Sequence, residues 1–163
     1  MNAKQAIKAG IDGGGFVSNA YLDDLADADL LVRPAPDCNH IAWQLGHLIS
    51  AEHGMVEAVS PGTMPKLPEG FEKRHVKETA SSDNPKDFLS KNEYLKLAKE
   101  QRAGTYAALE KTSDADFDKP GPESMRSYCP TIGSVFTMQG THWLMHAGQW
   151  AIVRRKLGKP PLF

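Results

Sequence analysis

Two histidines four residues apart, His142 and His146, are the first residues in this sequence whose spacing indicates chemistry. Residues at this spacing lie on one face of a helix, so the two imidazoles lie side by side. In a predicted helix over Thr131–Leu157 they share a narrow polar stripe with Gln139 and Gln149. Buried imidazoles need partners, and a metal ion is a partner that uses two histidines at this spacing.

The polar stripe is predicted to face the protein interior because heavy apolar residues flank it. One flank consists of Phe136, Trp143, Trp150 and Leu157, and the other of Met138, Met145 and Ile152. Such a stripe is not expected on a solvated helix face. From the residues alone an alternative stays open, in which the histidines are core side chains satisfied by the backbone or by Gln139 and Gln149.

A third candidate ligand, His47, lies on another predicted helix. Its neighbours one and two turns further on, Ala51 and Gly54, are small and leave room beside an imidazole. Three neutral imidazoles leave a fourth coordination position for water or substrate, which is typical of catalytic zinc. No glutamate follows His142 directly, so the pattern is not the His-Glu-x-x-His of metalloproteases.

Four helices are predicted to position these histidines. The first covers about residues 3–30, with a weak point at Gly13-Gly14-Gly15 that could break it. This triplet lacks the Lys-Ser/Thr of a phosphate loop. The second helix begins near Asp37 or Asn39 and ends at Val59. The third opens with a capping box, Ser90 to Glu93, and ends near Lys111, and the fourth carries the histidine pair.

Two long connections, about residues 60–89 and 112–130, are rich in proline and glycine and show no sustained periodicity. The first is far longer than an ordinary helix–helix loop, so it either crosses the bundle or covers something. No strand pattern appears. The sequence therefore predicts a single domain over residues 1–163, an all-α four-helix bundle with long crossover connections between helices 2 and 3 and between helices 3 and 4.

Composition excludes several classes of partner. A net charge of -1 gives no basic footprint for nucleic acid or for a membrane surface. No apolar run is long enough to span a bilayer, and the first residues lack the apolar core of a secretion signal. Cys38 and Cys129 are interpreted as reduced thiols ahead of helix starts, where a thiol pKa can fall. We therefore expect a cytoplasmic protein that binds neither nucleic acid nor a membrane.

Two short motifs in combination resemble the DinB-like superfamily of four-helix-bundle metalloenzymes, which includes bacillithiol- and mycothiol-dependent S-transferases. The motifs are Trp43-x-x-Gly46-His47-Leu48 and His142-x-x-x-His146-x-Gly148-Gln149, with Arg154-Arg155-x-Leu157-Gly158 beyond them. The resemblance implies one divalent metal on His47, His142 and His146, a low-molecular-weight thiol as a further cofactor, and a homodimer. Imidazole ligands favour zinc or nickel. The resemblance also implies manganese as a further option. No residue can be matched to thiol recognition.

Three residues near the histidines are candidates to support such a site. Gln44 and Gln149 could orient an imidazole or a bound water, or could be buried polar residues satisfied by a crossing loop. Trp43 is expected to pack in the core with one edge in the pocket. The functional hypothesis is an enzyme that transfers a thiol or hydrolyses a small molecule. The alternative is a non-catalytic metal-binding or stress-associated bundle.

The face of the fourth helix opposite the histidines suggests association. It carries small or apolar residues, Gly140, Leu144, Gly148 and Ala151. A helix that is apolar nearly all round must be covered on both sides. Either another helix of the same chain or a symmetry mate covers this face, and the resemblance favours a homodimer.

Overall fold

The computed structural model describes residues 1–163 and contains four long helices and no strands, which confirms the predicted all-α four-helix bundle. The helices are α1 (Ala3–Leu22), α2 (Ile41–Val59), α3 (Lys91–Lys111) and α4 (Ile132–Lys156). Short 3-10 turns punctuate the connections. None of the helices combines the length and hydrophobicity that a membrane crossing requires.

The start of each site-bearing helix is fixed by a side chain that caps it. Thr131 accepts a hydrogen bond from the backbone N–H of Ser134 at the start of α4, and Ser90 pairs with Glu93 in the predicted capping box of α3. The cap of α2 is neither Asp37 nor Asn39. It is the buried imidazole of His40, whose Nδ1 accepts from the backbone N–H of Trp43 at 3.1 Å.

The glycine triplet does not break α1. Gly14 is buried where α1 crosses α4, and a Cβ placed on it would lie 2.5 Å from the carbonyl oxygen of Gly140. A Cβ on Gly140 would in turn lie 2.5 Å from the carbonyl oxygen of Gly10. Glycine at these positions lets two helix backbones touch. Gly140 is therefore covered by α1 of the same chain, which is one of the two options that the sequence left open for this face.

The first helix ends at Leu22 instead of Leu30, and the acidic run that follows leaves the helix. Carboxylates at a helix C-terminus oppose the helix dipole. Asp24 instead pairs with the buried guanidinium of Arg154 and lies 3.4 Å from Lys159 Nζ. The basic cluster at the end of α4 thus holds the segment that follows α1.

The helices contact one another unequally. α1 packs mainly on α4, and α2 lies against both α3 and α4, whereas α1 and α3 hardly touch. The largest buried apolar cluster includes Leu45, Leu48 and Ile49 of α2 and Trp143 and Trp150 of α4. The α2–α4 interface therefore holds the candidate ligands, and the α1–α3 side of the bundle stays open.

The first long connection covers the N-terminal half of α2. The ring of His75 packs so closely on Gly46 that a Cβ there would lie 2.1 Å from the His75 Cδ2. His75 Nδ1 lies 2.9 Å from the carbonyl of Phe71, and its Nε2 lies 2.8 Å from the hydroxyl of Tyr94. The Nδ1–H can only donate to that carbonyl, so Nε2 accepts from the hydroxyl. The sequence left open whether this connection crosses the bundle or covers something, and the structure shows that it covers α2.

Candidate metal centre

The structure brings the three predicted histidines together. His47 comes from α2, and His142 and His146 come from adjacent turns of α4. One ring nitrogen of each lies within 4.8 Å of the others. The ring centroids of His142 and His146 lie 5.0 Å apart, and that of His47 lies 5.2 Å and 5.5 Å from them. Three imidazoles from two facing helices thus surround one point.

The histidines lie at the border of the core instead of at its centre. The predicted flank of Phe136, Trp143 and Trp150 is buried, but on the other flank Met145 is 63% exposed and Ile152 is 48% exposed. The expectation of apolar burial on both sides is therefore wrong for the second flank, because α2 covers the stripe from one side only. The half-buried imidazoles remain reachable from solvent.

Burial keeps the three imidazoles neutral. Loss of solvent, with a smaller contribution from neighbouring imidazoles, lowers the pKa of His142 and of His146 to about 4. Burial also lowers the pKa of His47. A neutral imidazole carries the lone pair that a metal ion needs. At neutral pH each of the three rings therefore has a lone pair that can bind a metal ion.

Gln44 determines which nitrogen of His146 carries the proton. Its Oε1 accepts from Trp150 Nε1 at 2.7 Å and lies 3.0 Å from His146 Nδ1. An indole N–H can only donate, so the glutamine atom between the two rings is the oxygen. His146 Nδ1 must then be the donor, which leaves the Nε2 lone pair for a ligand.

The other two candidates occupy different positions. Trp43 stacks on His47, with ring centroids 5.2 Å apart and planes 7° apart, and its Nε1 donates to the carbonyl of Val76. Gln149 makes no hydrogen bond to an imidazole, and its Oε1 accepts from Gln44 Nε2 at 2.8 Å. Gln149 therefore supports the orientation of Gln44.

The alternative in which the backbone, Gln139 and Gln149 satisfy the histidines finds no support. Gln139 is buried and donates to the carbonyl of Val135, away from the imidazoles. Neither His47 nor His142 makes a hydrogen bond within the chain, although both side chains are half-buried. Their ring nitrogens have no protein partner.

The donor set fits a divalent metal ion. No cysteine or carboxylate joins the three histidines in the group, so a bound ion would keep a position for water or substrate. Imidazole is a borderline-soft ligand that suits zinc or nickel better than magnesium or calcium. The three-histidine group could therefore bind a metal ion.

The structure also contains a buried ion pair behind the histidines that the sequence analysis does not predict. Glu52 is 1% exposed and lies 2.9 Å from Arg102 Nη2. It also accepts from Thr105 Oγ1 at 2.7 Å and from Trp143 Nε1 at 3.2 Å. Burial raises the pKa of Glu52, and Arg102 is the foremost group acting against that rise. The sequence does contain a signal for this pair, because a glutamate on the otherwise apolar face of α2 requires a buried partner.

Neither cysteine belongs to the site, and the structure leaves both unpaired, as predicted. Cys129 is fully buried, and this burial raises the pKa of its thiol. Burial thus shifts the pKa of the Cys129 thiol upward, opposite to the fall that a place ahead of a helix start can cause.

The fold and the site together define a helical-bundle protein with a candidate three-histidine metal centre. Residues 17–150 match the DinB superfamily, and the chain belongs to that superfamily. The resemblance seen in the short motifs is thus confirmed over most of the chain. No curated protein matches this sequence.

Proposed function

We propose that this protein is a metal-dependent enzyme that transfers a thiol to a small molecule or hydrolyses one, at a divalent metal held by His47, His142 and His146. The observation that carries the proposal is the convergence of three neutral imidazoles, within 4.8 Å of one another, without a fourth protein ligand. Zinc or nickel is the preferred ion for imidazole ligands, and manganese is a further option that comes from membership of the superfamily.

A bound ion would lower the pKa of a thiol or water beside it and so supply a nucleophile near neutral pH. The residues of the chain prepare the place for it. Gln44 holds the proton of His146 on Nδ1, away from the centre. Trp43 covers one face of His47 and shields it from water. The first long connection fixes Trp43 through Val76 and Thr79.

Three further parts of the proposal have less direct support. A low-molecular-weight thiol is proposed as a cofactor from membership of the superfamily alone, with no residue assigned to it. A homodimer is proposed from an exposed apolar band on α4, formed by Leu144, Met145 and Ile152. A cytoplasmic location stays a prediction.

Metal analysis of purified, chelator-free protein tests the centre. We expect about one equivalent of metal in the wild type and nearly none in His47→Ala, His142→Ala or His146→Ala. His53→Ala is the matched control, since His53 also lies on α2, is half-buried and bonds Gln101 instead of joining the group. If the protein retains no zinc, nickel or manganese after reconstitution, the proposal is wrong.

A second measurement separates an enzyme from a non-catalytic metal protein. The metal-loaded and chelated forms are screened for thiol transfer and for hydrolysis against panels of low-molecular-weight thiols, electrophiles and esters. Turnover that depends on the metal and is lost in His142→Ala supports the enzyme. Stoichiometric metal without turnover in any assay favours the non-catalytic bundle.

A further inference from the structure

Apart from the candidate metal centre, a cavity lies on the open side of the bundle, between α1 and α3. Its volume is about 530 Å³, and none of the three histidines lines it. α1 contributes Gly15 and Asn19, and α4 contributes the indole of Trp143. α3 supplies the opposite wall with Leu95, Ala98, Lys99, Arg102, Ala103 and Tyr106. Because helices form its walls, the cavity is a rigid feature of the fold.

The apolar part of this groove has room for a flat body. Gly15 has no atom within 4 Å of the place where a Cβ would lie, so the space beside it is open. The facing wall carries the small side chain of Ala98 beside Leu95, with Trp143 supplied by α4. Mostly apolar clefts of this size with a few polar groups are typical of small-molecule sites.

The charged part of the groove is positive. Lys99 and Arg102 line it, and no aspartate or glutamate does. The two carboxylates that bond lining residues are already engaged. Asp12 binds Lys8 and the Tyr106 hydroxyl, and Glu52 accepts from three donors. Lys99 has no ion pair within the chain. An anion entering the groove would therefore meet the unpaired ammonium of Lys99 beside Arg102, whose charge is already paired with Glu52.

The guanidinium of Arg102 is only partly satisfied. It donates through Nη2 to the carbonyl of Gln139 at 3.1 Å and pairs through the same nitrogen with Glu52. Its Nη1 is buried and has no hydrogen-bond partner. Buried donors without partners are uncommon and costly, so this one requires an explanation. This nitrogen is closed to solvent, so an acceptor oxygen in the groove would reach it after a shift of the Arg102 side chain, which lines the groove.

We propose that this groove binds a small carboxylic acid with a flat apolar body, such as an aromatic acid. The apolar body would lie between Gly15 and Ala98 against Trp143, and the carboxylate would face Arg102 and Lys99. The site is independent of the metal centre, because the two share no residue.

Benzoate, with benzyl alcohol as its uncharged counterpart, tests the proposal by calorimetric titration of the wild-type protein. We expect saturable binding of benzoate at millimolar or lower concentration, and affinity for benzyl alcohol weaker by about tenfold or more, because the alcohol lacks the charge. The indole N–H resonance of Trp143 should shift during the titration. Absence of saturable benzoate binding up to about 10 mM would refute the site.

Two pairs of variants locate the binding. Gly15→Leu fills the groove, whereas Gly13→Leu places the same side chain in open space on the same helix. The first should weaken benzoate binding by about tenfold or more, and the second should leave it unchanged within about twofold. Lys99→Glu should weaken binding, whereas Lys96→Glu, exposed on α3 outside the groove, should have little effect.

A carboxylate could instead bind at the metal centre, and the same experiment distinguishes this outcome. Benzoate binding that survives chelation and the His142→Ala substitution, but not Gly15→Leu, supports the groove. Binding that is lost on chelation and unaffected by Gly15→Leu assigns benzoate to the metal and overturns the proposal, without bearing on whether the protein is a metalloenzyme.

Discussion

Gln44 and His146 join the two helices of the candidate metal centre through a hydrogen bond of 3.0 Å. The same glutamine oxygen accepts from Trp150 Nε1, and its amide nitrogen donates to Gln149 and to the carbonyl of Asn39. Every hydrogen-bonding direction of the Gln44 amide head is thus in use. The proton position on one ligand of the centre is therefore determined by a buried amide on the opposite helix.

Replacing Gln44 should weaken metal binding although Gln44 is not a ligand. In Gln44→Leu the Nδ1–H of His146 loses its acceptor, so the ring is free to rotate and to change tautomer. Loss of such a partner typically lowers metal affinity by about tenfold to a hundredfold. Competition with a chromophoric chelator measures the change. Gln139→Leu, at a buried glutamine of α4 that touches no imidazole, should leave the affinity unaltered.

The metal-free protein should lose stability in mild acid. The pKa of His142 and of His146 is lowered by burial from 6.5 to about 4, so the unfolded chain binds more protons than the folded chain between those values. The free energy of unfolding should therefore fall as pH drops through this window, and these groups should contribute no slope above about pH 7. Thermal unfolding of chelated protein at a series of pH values measures it.

A double variant identifies the groups responsible for this pH dependence. His142→Gln combined with His146→Gln removes two depressed pKa values, so stability should depend less steeply on pH between about 4 and 6.5. His40, His47 and His75, whose pKa values burial also lowers, account for a remaining slope of the same sign. Equal slopes in the wild type and the double variant would show that the two ligand imidazoles titrate normally.

The parts of the fold that the sequence predicts well depend on local signals. The Ser90 and Thr131 caps and the spacing of His142 and His146 are each encoded within a few residues, and the structure reproduces them. The α2 start was misplaced because a buried imidazole, His40, is a rare cap whose role depends on the covering connection. Such a cap carries no local signature.

The missed features all depend on contacts between distant segments. The sequence alone indicates Gly14 as a weak point in a helix. Glycine is needed there because the backbone of Gly140, 126 positions further on (140 − 14), packs against it. His75 lies in a stretch without periodicity, and only the packing on Gly46 gives it a place. Propensity and periodicity describe neighbours in sequence, and they do not report which distant helix approaches.

The buried pair of Glu52 and Arg102 should show strong coupling in a double-mutant cycle. Either Glu52→Leu or Arg102→Leu alone leaves an uncompensated buried charge, and we expect a loss of about 3–5 kcal/mol in the free energy of unfolding. The double variant should lose much less than the sum of the two, because neither charge remains. Denaturant unfolding of the four proteins measures the cycle. Additive losses would mean that the two side chains do not interact.

Two adjacent glycines of α1 should respond differently to substitution by alanine, because only Gly14 contacts α4. Gly14→Ala places a methyl group 2.5 Å from the carbonyl oxygen of Gly140, where backbone atoms on both helices must move. We expect a cost of about 1–3 kcal/mol. Gly13→Ala meets nothing within 4 Å and should stabilise the exposed helix by about 0.5–1 kcal/mol. Chemical denaturation measures both, and a stabilising Gly14→Ala would contradict the close contact.

The protein should form a homodimer through the exposed apolar band of α4. Leu144 and Ile152 are 39% and 48% exposed, and Gly148 between them is exposed as well. An apolar band on a helix is normally covered, and no segment of the chain covers this one. Light scattering at tens of micromolar protein should therefore give twice the mass of the chain.

The double variant Leu144→Glu with Ile152→Glu should give a folded monomer, because the apposed carboxylates repel and the apolar contact is lost. Tyr128→Glu, at a 55% exposed aromatic residue of the second long connection, is the control and should remain dimeric. A monomeric mass for the wild type at this concentration would show that the band has another role.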